Sequence, residues 1–199
     1  MRVAAVQSSM TSAATEDAGE IERLAILRAR CGDEDAFRLL MDTHRDRAFA
    51  IALRITRSRQ DAEDVVQQAF VRAWHALGQF RADSAFGTWM HRIVARNAFD
   101  RASQLKARRD REDDLDTANA TLPFATHEPR DVLLVRRLES LMRTLSAAQR
   151  AVVTLFYWEE TPVEEIAATL GMPENTVKTH LSRARAALRE AWLRTERQR

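Results

Sequence analysis

The residues that could support catalysis or bind a metal are few in this sequence and form no recognisable motif. The 199 residues include one cysteine, Cys31, which excludes an internal disulfide and a cysteine-based zinc site. The five histidines are scattered: His44, His75, His91, His127 and His180. The sequence contains no Glu-x-x-His pair, paired-histidine zinc motif or glycine-rich phosphate loop. It therefore predicts a protein that is not an enzyme and uses no metal or cofactor.

Basic residues are concentrated in two stretches that could bind the phosphates of a nucleic acid. Residues 89–111 contain seven basic and two acidic residues, and residues 172–199 contain seven basic and three acidic residues. Between these stretches, residues 110–116 contain five acids and one arginine. A basic stretch can form either an ordinary solvent-exposed surface or a surface that binds phosphates. The charge distribution predicts two small domains joined by a flexible acidic linker.

The second basic stretch has the pattern of a helix-turn-helix. Thr161 predicts the N-cap of a short helix, and Gly171 predicts the end of that helix through a positive φ. A longer helix then begins near Pro173 or Glu174, with polar and basic residues on its outer face in the first two turns. This arrangement is typical of DNA-binding domains, although a three-helix bundle with a charged surface would give a similar pattern.

The rest of the sequence also has helical periodicity. Apolar residues recur at three- and four-residue steps from Phe37 to Ile55, and Ser58 predicts the cap of a second helix. A polar loop at 79–84 precedes a third helix from about Ser84, and Ser146 with Gln149 predicts a capping box for a helix that reaches about Trp158. The predicted fold class is all-α, with two small helical domains of which the C-terminal one is the helix-turn-helix.

Two pairs of segments resemble the sigma-70 family of bacterial RNA polymerase sigma factors. Residues 61–74 and 80–89 resemble the second conserved region of that family. Residues 161–171 and 176–185 resemble its fourth region. With only these two regions and a short linker, the chain resembles the extracytoplasmic-function (ECF) subgroup. The predicted organisation is as follows: a flexible tail at 1–23, a region 2 domain at 24–111, the linker at 112–131 and a region 4 domain at 132–199.

The resemblance implies a subunit that directs RNA polymerase core to promoters and helps to melt the DNA. The second helix would bind the clamp helices of the largest polymerase subunit through Asp61, Glu63, Asp64, Gln67 and Gln68. The C-terminal domain would bind the polymerase flap. A cytoplasmic location, promoter DNA and an anti-sigma factor are also implied, and no membrane insertion is expected.

Two sets of DNA-binding residues follow from the same resemblance. The recognition helix would read the minus-35 element with Pro173, Glu174, Asn175, Thr176, Lys178, Thr179, His180, Ser182 and Arg183. The loop and third helix would bind the minus-10 element with Gln79, Phe80, Arg81, Asp83, Ser84, Trp89, Arg92, Arg96, Asn97, Asp100 and Arg101. The loop would hold a base flipped out of the non-template strand, which offsets part of the cost of unpairing it.

One position departs from the family pattern. Seven residues after Trp89 the family has asparagine, whereas this chain has Arg96 there and Asn97 one place later. One step along a helix turns a side chain by about 100°. Asn97 therefore does not occupy the family position, and the minus-10 specificity of this chain does not follow from the resemblance.

A different function is open to the residues alone. A transcriptional regulator could bind an operator through the helix-turn-helix, while its N-terminal half senses a signal or dimerises. The C-terminal segment fits both functions. The loop at 79–84 and the tryptophan-containing third helix favour the sigma factor.

Overall fold

The computed structural model describes residues 19–109 and 140–197, and within these ranges the regular structure is helical. The acidic linker predicted at 112–131 and residues 1–18 of the predicted tail lie outside the described residues. The described N-terminal elements are α1 at 19–30, α2 at Glu34–Thr56, α3 at Arg59–Ala76, a 3₁₀ turn at Leu77–Gln79 and α4 at Phe86–Arg109. Helix α1 thus begins inside the segment that the sequence analysis assigned to the tail.

Local capping determines where α2 and α3 begin. The Asp33 carboxylate accepts a hydrogen bond from the Ala36 backbone N–H at 3.0 Å, which satisfies one of the orphan donors of α2. The Ser58 hydroxyl accepts one from the Asp61 backbone N–H at 3.2 Å, so the predicted cap of α3 is confirmed. The three long helices pack around a fully buried core that includes Leu40, Ile51, Ile55, Leu77, Phe86, Met90 and Val94.

The C-terminal half contains α5 at Ala147–Val153, a π-helical turn at Thr154–Trp158, α6 at Val163–Leu170 and α7 at Glu174–Arg197. The capping box is confirmed: the Ser146 hydroxyl accepts from the Gln149 backbone N–H, and the Gln149 side chain accepts from the Ser146 backbone N–H at 2.8 Å. The helix expected to reach Trp158 changes from α to π geometry after Val153. Such π turns insert a residue into the helix and turn the following side chains to a new face.

The prediction that Thr161 caps the next helix was wrong. Pro162 occupies the cap position of α6, and no side-chain hydrogen bond caps this helix. Thr161 is buried, and its hydroxyl donates to the Glu159 carbonyl at 3.3 Å. The threonine satisfies its hydroxyl within the preceding turn instead of at the helix start.

The positive φ predicted at Gly171 is confirmed, with a value of 63° between α6 and α7. We expect Gly171→Ala to destabilise the protein by about 1 kcal/mol, because an L-residue is strained in the left-handed region. The new Cβ would also lie 2.6 Å from Arg96 Nη1, the flexible end of a side chain that can move. Gly78→Ala is the matched control, since no atom lies within 4 Å of its Cβ position. Urea unfolding that gives equal midpoints for both variants would contradict this expectation.

The two helical halves pack against each other and share a continuous apolar core. Arg150, which is 8% exposed, donates from Nε to the Ile55 carbonyl at 2.9 Å and from Nη1 to the Leu145 carbonyl at 2.7 Å. Ile55 lies in the last turn of α2, where carbonyls lack helical partners and a cation is favoured. Burial, with the nearby charge of Arg57, lowers the pKa of Arg150 to about 10, so the guanidinium remains charged at neutral pH.

In the described part of the chain, no helix has the length and apolar character needed to cross a membrane.

Candidate DNA and polymerase interfaces

One side of helix α7 is apolar and buried, and the other side is polar and exposed. Val177, Leu181 and Ala184 are buried at 0, 4 and 0% exposure and anchor the helix to α5 and α6. Seven of the predicted minus-35 residues are exposed: Pro173, Glu174, Asn175, Lys178, Thr179, Ser182 and Arg183. The other two, Thr176 and His180, are half-buried. The structure therefore brings the whole predicted set together at the N-terminal part of one helix.

The chemistry of this face suits the major groove of DNA. Lys178 lies 3.5 Å from Glu174, and both side chains are exposed, so a phosphate or base can replace this weak pair. Burial and the charge of Arg183 lower the pKa of His180, which is therefore neutral at neutral pH. The face offers cationic donors together with hydroxyl and amide groups that can bind base edges.

The loop at 79–84 contains one buried aromatic residue, Phe80, and an exposed rim formed by Gln79, Arg81 and Asp83. Phe80 is 5% exposed, and its ring lies 5.7 Å from the Phe86 ring and 5.2 Å from the Trp89 ring. Phe80 is therefore a core residue in this structure, and its place among the predicted base contacts is corrected. The exposed members of the predicted set in this loop are Gln79, Arg81 and Asp83, whereas Ser84 is half-buried.

The three arginines of α4 in the predicted minus-10 set form ion pairs within the protein. Arg92 pairs with Glu165, and Arg96 pairs with Asp100 at 3.0 Å, four residues further along the helix. Arg101 pairs at 2.7 Å with Asp61. The last pair joins a predicted DNA contact to a predicted polymerase contact, and it leaves the Asp61 side chain only 15% exposed.

Asn97 faces the protein interior. It is 6% exposed, and its Oδ1 accepts a hydrogen bond from the Arg72 guanidinium on α3. Its assignment as a minus-10 contact is corrected for this structure, because a buried amide bonded to a neighbouring helix is not displayed to DNA. Arg96, one position earlier, is half-buried on the neighbouring part of the helix surface.

The outer face of α3 carries the remaining predicted polymerase contacts. Glu63, Asp64, Gln67 and Gln68 are exposed, and Glu63 pairs with Arg59 at 2.8 Å. A groove of about 580 Å³ lies between α2 and α3 and is lined in part by Met41, Phe49, Glu63, Gln67 and Phe70. The sequence predicted Met41 as a core residue, because it lies in the apolar stripe from Phe37 to Ile55. Only the packing of α2 on α3 shows that Met41 lines this groove.

Sequence reasoning missed one charged cluster altogether. The Glu159 carboxylate, just after the π turn, lies 2.9 Å from His91 Nδ1 and 3.2 Å from Arg47 Nε. Burial alone would raise the pKa of Glu159, but the hydrogen bond and charge of His91 and the charge of Arg47 outweigh burial and lower it. The carboxylate therefore stays ionised at neutral pH. No sequence signal could have revealed the cluster, since its members belong to three distant segments.

Both halves of the chain match known family models. The Sigma-70 region 2 model matches residues 40–109, and the Sigma-70, region 4 model matches residues 135–188. The chain is also 31% identical over 184 residues to the RNA polymerase sigma-H factor of Pseudomonas aeruginosa, which covers 86% of this chain and 94% of the relative. This chain belongs to the RNA polymerase sigma factor family.

Further likenesses place this sigma factor in the ECF subgroup. It is 32% identical over 178 residues to the ECF RNA polymerase sigma-E factor of Escherichia coli K12, covering 84% of this chain and 92% of the relative. A solved structure of the sigma factor RpoE from Bartonella quintana, in complex with the anti-sigma factor NepR, is 25% identical to it. That structure superposes with a TM-score of 0.62 and covers 78% of this sigma factor and 96% of RpoE.

These findings confirm the family resemblance, the all-α fold and the expectation that the protein is a transcription initiation factor and not an enzyme. The contacts of the individual side chains with DNA and polymerase remain predictions.

Proposed function

We propose that this sigma factor brings RNA polymerase core to its promoters with three surfaces. Helix α7 reads the minus-35 element, the loop at 79–84 and α4 bind and open the minus-10 element, and the outer face of α3 binds the polymerase. The observation that carries the proposal is α7, whose apolar side is buried while its polar side exposes lysine, arginine, threonine and asparagine together. Helix-turn-helix proteins place such a face in the major groove.

Run-off transcription tests this proposal against an operator-binding regulator. Purified protein added to core polymerase on a random promoter library should select a set of promoters with common minus-35 and minus-10 sequences. A regulator would bind DNA without core polymerase and would select no start sites. Absence of initiation by a correctly folded protein that does bind DNA would favour the regulator.

The minus-35 contacts give a prediction on α7. We expect Lys178→Ala and Arg183→Ala each to weaken binding to the promoter, because both side chains are exposed on the proposed DNA face. Loss of a base contact costs roughly 1–3 kcal/mol and relaxes specificity, whereas loss of a phosphate contact weakens all sequences and reduces the salt slope by about one. Fluorescence anisotropy at several salt concentrations measures both effects.

Arg189→Ala is the matched control for these two variants. Arg189 is exposed on the same helix but lies outside the predicted minus-35 set, about 16 Å beyond Lys178 and about 9 Å beyond Arg183 along the helix axis. If all three variants bind the promoter with the wild-type affinity and salt slope, α7 does not make the proposed contacts.

The exposed rim of the loop gives a prediction on melting. Replacing Arg81 and Asp83 with alanine should leave closed-complex binding nearly intact, because the minus-35 contacts lie on α7. Open-complex formation should fall, since unpairing a base costs a few kcal/mol and the loop would no longer offset that cost. Permanganate reactivity of the minus-10 thymines measures opening, and a premelted promoter should restore transcription. Wild-type reactivity in the double variant would show that this rim does not drive melting.

An anti-sigma factor is the proposed regulatory partner. The support is the Bartonella quintana relative, which was solved with the anti-sigma factor NepR. The proposed location is the cytoplasm, where the polymerase and promoter DNA are found. Affinity purification of the tagged sigma factor from its own cells should recover core polymerase and a second, smaller protein that blocks run-off transcription when added back.

A further inference from the structure

The π-helical turn before the helix-turn-helix ends in three consecutive aromatic residues, Phe156, Tyr157 and Trp158. Tyr157 is 51% exposed, and its ring meets the half-buried Phe156 ring edge to face, with the two centroids 5.0 Å apart. The change from α to π geometry at Thr154 turns the side chains that follow to a new face. The turn therefore displays a tyrosine at the surface instead of burying it in the core.

Tyr157 contacts Arg185, which lies 28 residues later on α7. Arg185 Nε donates a hydrogen bond to the Tyr157 hydroxyl at 2.7 Å, and the guanidinium carbon lies 5.8 Å from the centroids of both the Phe156 and Tyr157 rings. These ring distances are within the range of about 6 Å for cation–π attraction. The phenol and the two rings thus hold one edge of the guanidinium, and its two terminal amino groups remain to bind another acceptor.

No nearby acid balances the charge of Arg185. Lys178 and Arg194, on the same helix, pair with glutamates four residues before them. The residue four before Arg185 is the buried Leu181, and no described acidic side chain forms an ion pair with Arg185. A cation held by neutral groups keeps its attraction for an anion, and a guanidinium binds a phosphate through two parallel hydrogen bonds.

Arg185 lies on the side of α7 that is proposed to face DNA. It follows Lys178 by seven residues. Seven residues are about 700° of helical rotation and about 10 Å of rise, so the two side chains point in nearly the same direction. The major groove is about 12 Å wide, and a recognition helix reads bases with its N-terminal residues. Arg185 would therefore lie near the sugar–phosphate strand at the edge of the groove.

We propose that Tyr157 is a positioning residue, which holds Arg185 ready to bind a backbone phosphate beside the minus-35 element. The proposal rests on the DNA-binding role given to α7 above. Ordering a flexible side chain when DNA binds lowers affinity, and Tyr157 supplies this order already in the free protein. The contact adds affinity for any DNA sequence, because a phosphate carries no base information.

A double-mutant cycle in the full-length protein tests the proposal. Fluorescence anisotropy measures binding to two duplexes, the minus-35 element of a promoter selected by run-off and a duplex of scrambled sequence. Arg185→Ala should weaken binding to both duplexes about tenfold and lower the salt slope by about one, because a charged contact with a phosphate is lost. Tyr157→Phe keeps the ring and removes only the hydroxyl, so it should weaken binding to both duplexes about threefold.

The effects of these two substitutions should not add. In the Arg185→Ala background, Tyr157→Phe should have no effect, because Tyr157 acts through the guanidinium. In the Lys178→Ala background, which is the matched control, Tyr157→Phe should keep its full effect. Arg185→Lys should restore the salt slope but only part of the affinity, since lysine keeps the charge and lacks the planar pair of donors.

Fluorine NMR observes the contact without any substitution at Tyr157. Tyr157 is the only tyrosine in the sequence, so fluorotyrosine incorporated during expression gives a single signal. That signal should move in Arg185→Ala and on addition of either duplex to the wild-type protein. In the free Lys178→Ala variant it should stay at the wild-type position.

Two results would overturn the proposal. One is an equal loss of affinity on Tyr157→Phe with and without Arg185, which would show that Tyr157 does not act through the guanidinium. The other is Arg185→Ala with the affinity and salt slope of the wild type. Failure of the proposed function is recognised separately, because a protein that initiates no transcription can still bind the scrambled duplex through Arg185.

Discussion

Asp64→Lys should weaken binding to core polymerase by several kcal/mol. Asp64 is exposed on the outer face of α3, beside the exposed amides of Gln67 and Gln68. The family resemblance implies that this face meets a basic surface of the polymerase clamp, and placing like charges opposite each other at an interface costs several kcal/mol. Titration of labelled sigma factor with core polymerase measures the loss directly.

Glu20→Lys makes the same change of charge at an exposed position on α1 and serves as the control. Both variants should keep the helical circular dichroism of the wild type, because neither side chain is buried. If Asp64→Lys binds core polymerase normally, the outer face of α3 is an ordinary solvated surface and the polymerase binds elsewhere.

Phe80→Ala should cost about 3–5 kcal/mol of folding stability, which is a large part of the stability of a small domain. The ring is 5% exposed and packs against Phe86 and Trp89, so its removal leaves a cavity at the base of the loop. Urea unfolding followed by tryptophan fluorescence measures the change, with Trp89 as a reporter in the same cluster.

Phe80→Leu is the companion variant, because it retains much of the buried volume and should lose less stability. If Phe80→Ala unfolds at the wild-type urea concentration, the ring is not part of the core and becomes a candidate for base stacking. The two phenylalanine variants thus separate the structural role of the loop from the DNA-contacting role proposed for Arg81 and Asp83.

The helix caps and turns that the sequence predicted correctly all depend on short-range interactions. Ser58 capping α3, the box of Ser146 and Gln149, and the left-handed turn at Gly171 all depend on groups within three or four residues of one another. In each case a local side chain or backbone conformation provides a hydrogen-bond partner for an N–H or C=O group at the helix end. The residue type therefore predicts where the helix begins or ends. Thr161 shows the limit of this reasoning, because its hydroxyl had a second local acceptor in the Glu159 carbonyl.

The candidate site was predictable where one helix carries it. The polar face of α7 follows from the spacing of Val177, Leu181 and Ala184, since a helix with that apolar side can expose only the residues between them. The loop and α4 were less predictable, because more than one face of α4 packs against other elements. Whether Phe80 and Asn97 point inward or outward depends on Phe86, Trp89 and Arg72, and periodicity does not report those contacts.

The sequence by itself predicted helices α2 to α7 but not α1, together with the helix-turn-helix, the exposed face of α7 and, through two motifs in order, the sigma factor family. Only the tertiary structure decided how the two halves meet. Glu159 and Arg47 are 112 residues apart in the chain and bond at 3.2 Å. Such a contact arises from the packing of complete helices, whose free energy is spread over many side chains, so no local pattern encodes it. For the same reason, the sequence predicted Arg92 and Arg96 as DNA-binding residues. Only the fold shows that both side chains bond to α6 in this structure.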